Sequence, residues 1–194
     1  MLPPAEHVHW MFATGFLLLG LFLLAEAVVG EEVWRRRMWR AYLWPALIFG
    51  LGIFMVPVMT FFTNSTIHMI AHGAWAQTMM LAGAAELALV RGKLTSGLWR
   101  LATPFALAAS GIAFLVHEQN TWLFSRSAFL HHVLGWTLLA GAVLALARAW
   151  RPRSSLALGG FACLFLVIAV LLFSDRDVAP IFGHLSEYAG QAHR

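Results

Sequence analysis

Six apolar stretches constrain this chain more than any other feature in it: about residues 10–30, 41–62, 67–90, 101–117, 128–149 and 155–173. A helix rises 1.5 Å per residue, so roughly 20 apolar residues cross a hydrocarbon core about 30 Å thick. In lipid the backbone has no water to bond, and a helix satisfies its amides within a single segment. Charge content points the same way. Only 11% of the 194 residues are charged, against about 25% in a soluble domain, too few to cover a water-facing surface. The fold expected is an all-α integral membrane protein, a six-transmembrane-helix bundle forming one membrane domain over residues 1–194. The tail 174–194 mixes charges with Ile181, Phe182, Leu185 and Tyr188, a pattern for a short helix on the outer surface.

The connections alternate in charge. Arg35, Arg36, Arg37 and Arg40 follow the first run, Arg91, Lys93 and Arg100 the third, and Arg148, Arg151 and Arg153 the fifth. These are ten of the 13 Lys and Arg, and only Arg126, Arg176 and Arg194 fall on the other side. Basic loops stay in the cytoplasm, so both the N and C termini are expected outside, in a periplasm, with the bacterial inner membrane as the location. The net charge of +4 then reports orientation, and nucleic acid is not expected as a partner. The N-terminal MLPPAEHVHW has an acid and two histidines and no basic region, so the first run reads as a retained span.

Placed on that topology, all nine histidines fall at or near the outer surface. His7 and His9 precede the first span, His68 and His72 open the third, His117 ends the fourth, His131 and His132 open the fifth, and His184 and His193 lie in the tail. His68 and His72, in IHMIAHG, share a helix face at i and i+4. The segment from Val116 to His132 carries His117 and Glu118 off one span and His131 and His132 onto the next. Neighbouring helical residues diverge by about 100°, so one of His131 and His132 should face the bundle and the other a neighbour or water. The competing reading for each histidine is a simple hydrogen bond to headgroups or loop carbonyls.

Met55 and Met59 repeat the i, i+4 spacing on the outer part of the second span, as thioether ligands or as core filler. Cys163 is the only cysteine, so neither a disulfide framework nor a thiolate site is available within the chain. Glu118 could be a ligand, an orienter of a histidine or a general base. Glu26 and Glu86 lie toward the inner ends of their spans, where an ion pair with the arginine-rich loops competes with a functional role. Pro45, Pro57 and Pro104 are expected as kinks, and Gly50, Gly52, Gly83, Gly111, Gly135 and Gly141 as points of close helix packing. Trp10, Trp34, Trp39, Trp75, Trp99, Trp122 and Trp150 read as interfacial belts.

Imidazoles with thioethers and no thiolate suit copper, and imidazoles with a carboxylate suit iron, zinc or manganese. The expected metal ligands are His68, His72, His117, Glu118, His131 and His132, with copper preferred over iron or zinc. Two histidines on facing helices also suit a single b-type haem, for which His72 with His132 or His131 form the best pair by depth.

HMIAH, the HEQ after the fourth span and the HH opening the fifth resemble elements of CopD-type membrane copper-resistance proteins over roughly residues 55–135. That resemblance implies copper binding or passage through His68, His72, His117, His131 and His132. Membrane b-haem subunits such as cytochrome b561-like proteins are similar in using histidines on neighbouring helices. The inner half here has no histidine, so of that pattern only one outer haem remains, exchanging electrons with a quinol or a periplasmic partner. HxxxH and HH also resemble fragments of di-iron membrane hydroxylases, whose boxes lie on the cytoplasmic side; this implies a metal-dependent enzyme. The remaining reading is a structural subunit of a larger membrane complex. The bilayer, complex subunits and a periplasmic metal or electron carrier are the partners these readings call for.

Overall fold

The computed structural model describes residues 5–62, 66–116, 126–152 and 154–176. Every element among them is a helix: α1 (Ala5–Val29), the short α2 (Glu31–Arg35), α3 (Leu43–Phe62), α4 (Thr66–Val90), α5 (Ala102–Val116), α6 (Arg126–Trp150) and α7 (Ser155–Phe173), with 3-10 turns at Met38–Tyr42 and Gly97–Leu101. Five segments are long and apolar enough to cross a membrane: Glu6–Val29, Met38–Met59, Gly97–Val116, Phe129–Trp150 and Ser155–Phe173. α4 is not one of the five. It matches them in length, but His72, Gln77 and Glu86 lower its hydropathy.

Local chemistry sets the helix ends. Gly92, at φ 66°, terminates α4 in the left-handed conformation that a residue without Cβ adopts freely. The N–H groups of Lys93 and Gly92 then donate to the carbonyls of Ala88 and Leu89 at 2.8 and 3.0 Å, closing a Schellman motif. Ser154 caps α7 by accepting from the Ala157 N–H at 3.2 Å. Pro57 lies inside α3. Pro45 and Pro104, expected as kinks, instead occupy the first turns of α3 and α5, where a helix N–H has no intrahelical partner to lose.

The six long helices form a ring. Each packs on its neighbour in the sequence, and the contact between α7 and α1, the most extensive of all, closes the circle. Leu19 and Leu23 of α1 and Phe161 of α7 are fully buried, and Phe16 stacks on Phe165 at 6.0 Å. Glycines let two other seams close tightly. A Cβ on Gly83 would meet Phe49 N and Cα at 2.7 and 2.8 Å, and one on Gly52 would meet the Ala76 carbonyl at 2.8 Å, so α3 and α4 touch backbone to backbone. Gly111 and Gly135 face one another between α5 and α6 in the same way. Outside the ring lies an apolar coat that includes Phe105, Phe129, Trp136, Val143, Leu156 and Val170, each more than 60% exposed. A surface of this kind suits lipid and is far too large for a water-soluble monomer.

Candidate metal centre

All six long helices send side chains into one interior cavity of about 120 Å³, among them His9 (α1), Met55 (α3), His72 (α4), Ser110 (α5), His131 (α6) and Ile168 (α7). Three helices thus supply a histidine to one end of the ring, which also receives the last residues of α7. His72 and His131 are both 7% exposed.

An aromatic chain links these imidazoles. His72 sits edge-on to Trp75 at 4.5 Å, Trp75 stacks on Phe114 at 3.7 Å, Phe114 lies 5.5 Å from His131, and His131 is 6.2 Å from His9, all between ring centroids. Trp75 and Phe114 line the cavity together with the three imidazoles. Among the described residues, no three His, Cys, Asp or Glu groups converge closely enough to hold a metal ion.

His9 is held from behind. Its Nδ1 lies 2.5 Å from Oδ2 of Asp175, a carboxylate only 2% exposed. The Asp175 carbonyl accepts from Trp10 Nε1 at 3.2 Å and from the Arg176 guanidinium at 2.7 Å, while Arg176 lies 5.2 Å over the Trp10 ring. Start of α1 and end of α7 are knitted together by these bonds. A carboxylate on one ring nitrogen fixes the tautomer and makes the other nitrogen the more basic donor.

The expected residues separate. His72 and His131 line the cavity, and Met55, 9% exposed, does so beside them. Met59 packs against α4, where a Cβ on Gly73 would meet its sulfur at 3.2 Å. His131 faces inward and His132 outward on an exposed surface, as the 100° step between neighbours requires. His68 lies in the first turn of α4, and its side chain is outside the described residues. His117 and Glu118, together with the tail from 177 to 194, are also outside them. His7 and His9 belong to the first turn and a half of α1 instead of preceding it. The interfacial reading of Trp75 is corrected: it is 5% exposed and lines the cavity. Asp175 and Phe114 were missed. The signal available for Asp175 was an acid at the end of the last span, level with the histidine layer; Phe114 offered none beyond its apolar character.

The opposite end of the ring carries Glu26 and Glu86. Glu86 accepts from Arg148 at 3.0 and 3.3 Å and from Thr103 Oγ1 at 2.9 Å. The expected ion pair is therefore present for Glu86. Glu26, 6% exposed, has neither an ion pair nor a hydrogen bond to its carboxylate among the described residues.

Fold and site together define an all-helical membrane protein whose helices enclose an imidazole-lined cavity. Compared with family models, with curated proteins and with solved structures, the chain finds no match.

Proposed function

We propose that this protein binds a transition-metal ion, copper, at the histidine end of its ring, and handles it at the periplasmic face of a membrane crossed six times. The observation that carries the reading is that His9, His72 and His131, from three different helices, line one cavity that also has the Met55 thioether in its wall. Nitrogen and thioether donors without thiolate suit copper. The centroid separation of His9 and His131, 6.2 Å, is about the span of two metal–nitrogen bonds of roughly 2.0–2.1 Å each with the half-rings beyond them. Cuprous copper accepts two or three donors, whereas structural zinc asks for four. The sequence offers His68, His117 and Glu118 as further donors. His132, on the outer surface, would serve a partner or a second ion.

The same reading puts α4 across the bilayer as the sixth span, because it fills the ring between α3 and α5. It puts the arginine-rich connections in the cytoplasm by the positive-inside rule.

The test is elemental analysis with an absorption spectrum on the full chain purified in detergent. Stoichiometric copper without a Soret band is expected, falling to background in His131→Ala and in His72→Ala. A Soret band would replace copper by a b-type haem on His72 and a histidine of α6. Iron or zinc without one would favour a metal-dependent enzyme, and a protein free of metal would leave a structural subunit of a larger complex.

A further inference from the structure

A second cavity, of about 220 Å³, lies at the arginine end of the ring, and its wall includes Glu26, Glu86 and Arg148. We propose that it is a proton-binding site and that the Glu26 carboxylate is the acceptor. The charged groups around Glu26 come from every side. α2 contributes Glu31 and Arg35, α4 contributes Glu86, the turn before α5 contributes Arg100, and α6 contributes Arg148. α3 and α7 present Trp44 and Leu158, neither of which titrates.

Most of these charges already have partners. Glu31 pairs with Arg35 at 3.0 Å. Arg148 grips both oxygens of Glu86 and lies near the Trp44 and Phe161 rings at 4.9 and 5.6 Å. Arg100 is exposed at the rim. Glu26 is left, more than nine-tenths buried, lining the cavity and without a hydrogen bond or ion pair among the described residues.

Two buried carboxylates thus line one cavity with one guanidinium, Arg148, which is bonded to Glu86. An ionised carboxylate removed from water without a partner is costly, and at membrane depth such a group is a functional site by default. A proton taken from water onto a Glu26 oxygen removes that cost. A metal cation is the poorer occupant, because hard cations gather several oxygen ligands and this one would sit among Arg35, Arg100 and Arg148.

The arrangement can also change state. Arg148 lines the cavity with both carboxylates, so an ionised Glu26 competes with Glu86 for it. Trp44 lines both cavities, and Thr103, bonded to Glu86, lines the one with the histidines. The proton site therefore abuts the cavity that carries the histidines at its far end.

Infrared spectroscopy of the full chain in lipid nanodiscs tests this. A protonated-carboxyl stretch near neutral pH is expected, downshifted in D₂O and absent from Glu26→Gln. Glu26→Asp should move the band without removing it. Glu86→Gln, which releases Arg148, should lower the proton affinity behind the band at least tenfold. The proposal is overturned if wild-type protein lacks the band near neutral pH, if the band survives in Glu26→Gln, or if added sodium or potassium abolishes it at constant pH. That last result would make the cavity an alkali-cation site. None of these readouts depends on copper, so the outer site and this one stand or fall separately.

Discussion

At the scale of single residues, the carboxylate behind His9 decides how good a ligand that imidazole can be. Asp175 is almost wholly buried and holds Nδ1, leaving Nε2 as the donor. Partners of this type are worth about 10–100-fold in metal affinity. Asp175→Ala should weaken copper binding by that factor, as a competitive chelator titration would show, while His132→Ala, on the outer surface, should leave it within twofold. Equal losses in the two variants would move the site to the outside of α6. That histidines from several helices lie toward one end was legible in the sequence, and His9, His72 and His131 do line one cavity. Which of two adjacent histidines turns inward was not, because that depends on the rotation of α6 against α5 and α7. Asp175 was hidden for another reason. Read as the start of a polar tail, it gains its meaning only when α7 returns to α1.

At the scale of elements, the α3–α4 seam shows what glycine does where no Cβ fits. At Gly83 the obstacle is backbone of Phe49, which a Cβ would meet at 2.7 to 2.8 Å, and backbone cannot rotate away as a side chain can. Gly50, on the same pair of helices, has nothing within 4 Å. Overpacking costs about 1–3 kcal/mol, so Gly83→Ala should lower the thermal midpoint in detergent by several degrees, and Gly50→Ala should not. Matching midpoints would mean that the two helices stand further apart than described. The existence and order of these elements followed from their apolar length, and α7 begins and ends where the sequence places it, at Ser155 and Phe173. The second and fourth runs begin instead as 3-10 turns. Apolar content does not distinguish an i→i+3 bond from an i→i+4 bond, so those starts could not be read beforehand. The mixed character of α4 was visible in its histidines, Gln77 and Glu86. Its place in the ring was not.

At the scale of the whole molecule, closure of α7 onto α1 turns an up-and-down series of helices into a ring with two chemically distinct ends. Histidines and Asp175 occupy one end, Glu26, Glu86 and Arg148 the other. No local pattern in the chain announces this closure, since the residues that seal it, Leu19 and Leu23 with Phe161, lie more than a hundred positions apart. Orientation in the membrane follows from a different physical quantity, the side on which the arginines fall. His7, at the histidine end, is exposed, and Lys93 lies in the loop after α4 at the other end. In a chain whose native thiol is removed by Cys163→Ala, His7→Cys should react with a membrane-impermeant maleimide added to intact cells lacking their outer wall. Lys93→Cys should react only after the membrane is opened. The reverse pattern would place the histidines in the cytoplasm, where the metal would come from the cell's own pool and a periplasmic carrier would have no access to it. Labelling of both from outside would mean that α4 does not cross. That outcome is the sharpest challenge to six spans, because α4 is the one long helix whose polarity argues against lipid while its neighbours in the ring argue for it.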